Sequence, residues 1–386
     1  MIPDGWKEST VGKSYNICNN LRFPINLEDR KGMQGIYPYY GPTGILNFID
    51  EYRLDGEYAL IGEDGDHFLK YNNKSMTLLV NGKINVNNHA HIIQGSVNCR
   101  TDWFYYYFMN RPLTPYLTRQ GAGRYKLTKS ALENIPILIP PFSEQCRIAE
   151  ILGVWDESIN LLERLIGKTR SRKQGLMQQL LTGKRRFKEF EGSEWKKKTL
   201  EQIADINPRK HPNNLRFMGE FVEMASVSES GQLKNIAHVD MTNSTSGYTE
   251  FMNSDTLVAK ITPCFENGKG AFIEGLEGVG FGSTEFYVLR AKLEIIPIYL
   301  YYLTRTYDFG IRGKAMMQGS GGQQRVPSDF IRQFAVKLPS LPEQEKIAAV
   351  LSAADEEIST LEKQLAAYKQ QKLGLMQQLL TGRTRI

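Results

Sequence analysis

A chain of 386 residues that is 41% apolar and 23% charged is long enough for two or more domains with cores of their own and too apolar for wholesale disorder. Its net charge of +6 favours an acidic partner without requiring one. The four cysteines, Cys18, Cys99, Cys146 and Cys264, are widely spaced with no CxxC pair, and no apolar run approaches the roughly 18 residues that span a membrane, which argues against a zinc site, a disulfide framework and a membrane span. Met1-Ile2-Pro3-Asp4 does not begin a signal peptide, so the expectation is a cytoplasmic protein in a reducing compartment.

Residues 1–140 form a first unit of short apolar or aromatic runs broken by Gly, Asn, Asp and Pro: YPYYGPTGI at 37–45, EYALIG at 57–62, MTLLV at 76–80 and INVNNHAHII at 84–93. These read as strands joined by turns. TDWFYYYFMNR at 101–111 reads as a helix, and RQGAGRYKLT at 119–128 as a glycine-bearing loop. His89 and His91, two apart on a strand, would share a face, and a buried hydrogen-bonded pair fits them better than a metal site.

Residues 141–183 read as one long helix. Glu144 supplies early acidic charge, and Ile148, Leu152, Trp155, Ile159, Leu162, Ile166, Thr169, Lys173, Leu176 and Leu180 step by alternating four and three, a heptad seam. At 1.5 Å per residue, about 38 residues make a rod of roughly 57 Å. Next comes a strongly charged run, KRRFKEFEGSEWKKK at 184–198, which reads as a solvated linker with phosphate contact as the alternative.

The second unit, 195–338, repeats the plan of the first. Trp195-Lys196 echoes Trp6-Lys7, TLVAKI at 256–261 stands in the place of EYALIG, and STEFYVLR at 283–290 in that of NNHAHIIQ. IPIYLYYLTR at 296–305 matches the aromatic helix, and MQGSGGQQRV at 317–326 the glycine loop, with Gln318-Gly319 set against Gln120-Gly121. Residues 339–386 then repeat the rod: the 44 residues from Pro339 to Gly382 align without a gap on those from Pro140 to Gly183, 199 positions earlier, with 21 identities that include all of GLMQQLLTG. The second seam runs through Ile347, Leu351, Ala354, Ile358, Leu361, Leu365, Tyr368, Lys372, Leu375 and Leu379. Gly175 and Gly374 each cost a helix interior about 1 kcal/mol, so they are expected to let the helices, or a partner helix, approach closely.

Catalytic motifs are weak. No [DNS]PP[YFW] tetrapeptide of a methyltransferase is present, and Lys7 and Leu162 stand where Gly12-Lys13-Ser14 and Gly167-Lys168-Thr169 would need the first glycine of a phosphate-binding loop. Glu266-Asn267-Gly268-Lys269 has nuclease-like spacing, but such combinations arise often by chance. No catalytic residue and no metal ligand is assigned.

The doubled EQ..IA..L....DE.I..LE segment, the twin LMQQLLTG endings, YPYYGPTGI...DGEYALIGEDG and KITPCFENGKGA...GFGSTEF together resemble the specificity subunit of type I restriction-modification systems over essentially the whole chain. The resemblance implies an α+β protein: two similar mixed α/β target-recognition domains in tandem, each followed by a long helix, the two helices packing as an antiparallel coiled coil with pseudo-two-fold symmetry. It implies a non-catalytic subunit that reads a bipartite target in double-stranded DNA, one half-site per globule, and docks two methyltransferase subunits and restriction/translocase subunits. S-adenosylmethionine, Mg and ATP would belong to those partners and no cofactor to this chain. A helical scaffold with two ligand-binding domains and no DNA role is the alternative.

For helix packing and partner docking the expected residues are Ile148, Leu152, Ile159, Leu162, Gly175, Leu176, Leu180, Ile347, Leu351, Ile358, Leu361, Gly374, Leu375 and Leu379. For DNA, Tyr39, Tyr40 and Thr43 form an aromatic turn, and Lys260, Thr262 and Lys269 flank a strand end and a turn. The glycine loops contribute Arg119, Gln120 and Arg124 in one unit and Gln318, Gln323, Gln324 and Arg325 in the other. Arginine reads guanine bidentately and glutamine reads adenine, with phosphate contact and plain solvation as rival roles for each.

Overall fold

Two helices of equal length, Phe142–Leu180 and Leu341–Leu379, each of 39 residues, organise the chain where the seams predict them. The structure is a computed structural model and describes residues 2–120, 124–208, 218–234, 236–240, 247–276, 278–320 and 322–386. The chain divides into two compact units, and the division falls inside both long helices: Met1–Glu163 with Lys363–Ile386, and Arg164–Glu362. Each unit therefore holds one globule, half of the helix that follows it and half of the other helix.

In the first unit, β1 (Lys7–Thr10) pairs antiparallel with β10 (Pro136–Ile139), which closes the globule just before the long helix. Between them lie β2 (Asn16–Ile17), β3 (Gln34–Gly41), β4 (Gly44–Ile49), β5 (Leu54–Gly62), β6 (Thr77–Val86) and β7 (Ala90–Gln94), a six-stranded sheet in the order β2-β7-β5-β6-β3-β4. A short hairpin, β8 (Thr118–Gln120) and β9 (Arg124–Lys126), stands apart from it. The sequence pattern suggests a break near Asn81-Gly82, but β6 runs straight through: Gly82, at φ +84°, lies opposite Gly56, at φ +141°, a pair of backbone conformations that side chains resist. The turn falls instead at residues 87–89.

The aromatic helix Thr101–Phe108 buries Trp103, Phe104, Tyr106, Tyr107 and Phe108. Trp103 meets Trp6 edge-on at 5.6 Å. The same core takes in Ile148 and Leu152 from the start of one long helix and Met376 and Leu379 from the end of the other.

The second unit is built to the same plan with different sheets. β11 (Lys196–Thr199) pairs with β20 (Ala335–Leu338) as β1 does with β10. β12 (Ala204–Ile206), β13 (Met218–Val222), β14 (Ala237–Asp240), β15 (Thr249–Met252), β16 (Thr256–Ala259), β17 (Gly270–Phe272), β18 (Val279–Gly282) and β19 (Phe286–Ala291) make two four-stranded sheets, β12-β19-β16-β17 and β14-β13-β18-β15. The aromatic helix Pro297–Thr304 packs with Leu180, Ile347 and Leu351.

Within each unit the two helix segments are antiparallel, because contacts run in opposite numerical order. Trp155 meets Tyr368 at 5.4 Å, and Glu163 and Asp156 pair with Lys369 and Lys372 in the first unit. Arg170, Arg172 and Lys173 pair with Glu362, Glu357 and Asp355 in the second. Ile148, Leu152, Ile159, Leu162, Leu180, Ile347, Leu351, Ile358 and Leu379 are buried, and Leu176, Leu361 and Leu375 partly so. The two glycines are the exception: a Cβ on Gly175 or Gly374 would meet nothing within 4 Å. Neither lets the two long helices approach, since each faces open space.

The repeated Glu-Gln pair that opens each helix is a latch. Glu144, buried, accepts from Trp6 Nε1 at 3.1 Å and from Arg385 Nε and Nη2 at 2.7 and 2.9 Å. Glu343, also buried, accepts from Trp195 Nε1 at 3.1 Å and from Arg186 Nε and Nη2 at 2.9 and 2.7 Å. Such pairing offsets the cost of taking a carboxylate this deep out of water. Arg186 and Glu189, which pairs with Lys346, tie the charged 184–198 run to the second helix at two points, while most of its residues stay exposed.

The neighbouring glutamines repeat the match. Gln145 accepts from Arg100 N and donates to Asn98 O and Pro140 O, all at 2.9 Å. Gln344 accepts from Ile296 N at 2.9 Å and donates to Glu294 O and Pro339 O at 3.1 and 3.0 Å.

Candidate nucleic-acid interface

One backbone network occurs in both globules. In the second unit Lys260 N donates to Glu285 O and Val326 N to Lys260 O, each at 2.9 Å, while Thr262 N donates to Gln324 O at 2.9 Å. Arg325 is bridged on one side to Ile261 and on the other to Gln318. In the first unit Glu63 N donates to His89 O at 2.8 Å, Leu127 N to Glu63 O at 2.7 Å and Gly65 N to Tyr125 O at 3.0 Å. Lys126 is bridged to Asp64 and paired with Thr118. Bond by bond, Glu63 stands where Lys260 stands, His89 where Glu285 does, Lys126 where Arg325 does and Thr118 where Gln318 does. Matching Gln120-Gly121 to Gln318-Gly319 by sequence is therefore two residues out.

A buried donor pins each frame from behind. Tyr287 donates its hydroxyl to Val326 O at 2.8 Å, and burial pushes its pKa up. His91, fully buried, donates from Nε2 to Leu127 O at 2.7 Å. Asn19 and Arg22 both donate to its Nδ1 at 2.9 Å, which fixes the Nε2–H tautomer, and burial lowers its pKa toward the neutral form. His89 has a different fate: it sits at the turn, half exposed, with Nδ1 2.9 Å from Asp64. The two histidines are thus not a pair.

The structure brings Lys260, Thr262, Gln318, Gln324 and Arg325 together on this frame and leaves Gln323 exposed beside them. Arg325 lies on Glu285 through Nε and Nη2, at 2.8 to 3.2 Å, which raises its own pKa and holds the Glu285 carboxyl below the usual range. Lys260 Nζ stands 5.3 Å from the Tyr287 ring, and Thr262 Oγ1 bonds Gly322 O at 2.5 Å. In the first unit Arg119 stacks on Tyr125 at 4.9 Å and donates to its hydroxyl at 2.7 Å; Arg124 is exposed. Gln120 lies in β8, and the loop residues 121–123 fall outside the described residues.

Other candidates are not available to a ligand. Tyr39 is 1% exposed, and its hydroxyl accepts from Ile25 N at 3.0 Å and donates to Phe23 O at 2.8 Å, so it is core. Tyr40 is half buried against the β5/β6 cluster, whereas Thr43 is exposed at the β3–β4 turn. Lys269 turns its ammonium onto Met224 O at 3.1 Å, a structural role. Sequence reasoning missed Glu63, Glu285 and Tyr287; it expected His91 to be buried and hydrogen-bonded, as it is, without its place behind the frame, although His91 and Tyr287 each lie two residues after a frame position. Among the described residues no group of three or more His, Cys, Asp or Glu could hold a metal ion, and no helix is long and apolar enough to cross a membrane.

Comparison with known proteins accords with this arrangement. The profile of the type I restriction modification DNA specificity domain matches residues 3–168 and again 192–368. The chain is 34% identical over 186 residues to the type I restriction enzyme EcoAI specificity subunit of Escherichia coli, a match covering 47% of this chain and 31% of that one. It is 21% identical over its whole length to 94% of the MjaVIII specificity subunit of Methanocaldococcus jannaschii. The chain spans 31–36% of the length of the curated relatives it matches at 33–39% identity. The crystal structure of the type I restriction-modification S subunit from M. genitalium superposes with a TM-score of 0.63 at 14% identity, covering 98% of this chain and 99% of that one, which shows a shared fold.

Proposed function

Because the chain belongs to the type I restriction modification DNA specificity family, with two copies of the domain in tandem, we propose that it reads a bipartite target in double-stranded DNA, one half-site per globule. The observation that carries this reading is the repeated frame. A single backbone network supports different side chains in the two units, as two reading heads for two different sequences require. Arg325, Gln318 and Gln324 supply the side-chain types that recognise guanine and adenine edges.

The chain itself performs no chemistry in this proposal. Methyltransferase subunits, one per helix copy, bind S-adenosylmethionine and take the flipped adenine, and restriction/translocase subunits supply Mg- and ATP-dependent steps. Their docking surface lies on the GLMQQLLTG blocks. Leu180 and Leu379 are occupied inside, but Gln178, Gln179, Gln377 and Gln378 are exposed, and Gly175 and Gly374 face open space.

The test is a map of methylated adenines in DNA from cells that carry this chain with its methyltransferase. One split motif is expected, and Arg325→Ala should change the preference at a position in one half only, by about ten- to a hundredfold. Equal loss on all sequences with a shallower salt dependence would make Arg325 a phosphate contact. Absence of any split motif would overturn the reading.

A further inference from the structure

The frame correspondence picks out residues in the first unit that the glycine loop does not contain. The place of Arg325 is held by Lys126 and that of Glu285 by His89, while Asp64 stands where Ile261 does. We propose that His89 and Lys126 are the specificity-determining residues of the first globule, presenting two donors to base edges of its half-site from the same places that Glu285 and Arg325 occupy in the second. This rests on the reading of the chain as a split-target DNA reader.

Three observations support it. First, all four places are partly open to solvent: the side chains of His89 and Lys126 are 45% and 30% exposed, and those of Glu285 and Arg325 23% and 46%. Second, each of these donors rests on a carboxylate in the free chain. Arg325 lies on Glu285, Lys126 lies 3.3 Å from Glu63, and His89 lies 2.9 Å from Asp64. Lys126 can leave Glu63 without stranding it, because Arg22 also holds Glu63 at 2.7 Å, and Arg325 and His89 are nearly half exposed, so each donor can turn to a guanine O6 or N7 while its carboxylate keeps it aimed meanwhile.

Third, the charge layout differs between the units while the backbone does not. The anion faces Arg325 from the Glu285 strand in one unit and faces Lys126 from the Glu63 strand in the other. Two readers that share a frame but differ in the donor and acceptor pattern on it recognise different bases. The pinned carbonyls behind the frame, Leu127 O and Val326 O, leave the backbone no freedom to supply that difference.

The experiment uses the full chain in its methyltransferase complex and a random-sequence duplex library, with the bound fraction sequenced. Lys126→Ala and His89→Gln should each lower the preference for one base by about tenfold, in the half of the motif that Arg325→Ala leaves untouched. Lys126→Arg installs the side chain that the second unit carries at this place and should keep the fold while altering the same position, so a failure of Lys126→Ala to fold leaves the idea exposed to test. If Arg325→Ala alters its half but the Lys126 and His89 variants leave the other half unchanged, the inference is overturned and the split-target reading stands. If no variant alters any position, both fall.

Discussion

Gln145 is one fully buried amide that ties three backbone groups, at residues 98, 100 and 140, to the start of a long helix. Exchanging its amide for a carboxylate keeps the shape and removes both N–H donors, leaving two carbonyls facing an acceptor. Gln145→Glu should therefore lower unfolding free energy by roughly 2–4 kcal/mol, read from the urea midpoint, and Gln344→Glu should do the same in the second unit. A loss below about 1 kcal/mol would mean that water replaces the lost donors. The Glu-Gln dipeptide was conspicuous in the sequence because it recurs. Its partners were not, since Trp6 and Arg385 lie 138 and 241 residues from Glu144 and no local pattern links them. Tyr39 failed for a different reason: an aromatic residue on a strand has the same sequence signature whether its hydroxyl meets solvent or the carbonyl of Phe23.

At the scale of elements, the long helices were the most legible part of the chain, and their charge pattern explains their orientation. Glu144, Glu150, Asp156 and Glu157 lie in the first half of one helix and Arg164, Lys168, Arg170, Arg172 and Lys173 in the second; Glu343, Glu345, Asp355, Glu356 and Glu357 precede Lys363, Lys369 and Lys372 in the other. Antiparallel pairing sets unlike charges together in both units, and a parallel arrangement would oppose like charges. Strand register was less legible. The sequence pattern sets EYALIG against TLVAKI, but the frame aligns Gly62 with Ala259, two residues away, because a strand pattern of period two is blind to a shift of two. The glycines give the test at this scale. With open space around each Cβ position, Gly175→Ala and Gly374→Ala should each stabilise the isolated chain by about 1 kcal/mol, seen as a raised melting temperature. If the blocks dock methyltransferase, the doubly substituted chain should also retain less of it on co-purification. Higher stability with unchanged retention would remove the glycines from the docking surface.

For the whole molecule, the latches decide what can be exchanged. On the globule side, Gln145 and Gln344 bond only backbone groups, and Glu144 and Glu343 bond a tryptophan that both globules carry at the same place, Trp6 or Trp195. The attachment of a globule to a helix start is thus indifferent to the side chains that would read DNA. A chain in which residues 195–338 replace residues 6–139 should fold with cooperative unfolding close to that of the parent. Its methylation motif should lose the first half-site and carry the second half-site twice. Whether the two copies appear as a direct or an inverted repeat reports how the two readers face the duplex. A folded hybrid with no motif would mean that recognition depends on a pairing of two unlike globules, and independent half-site reading would have to be abandoned.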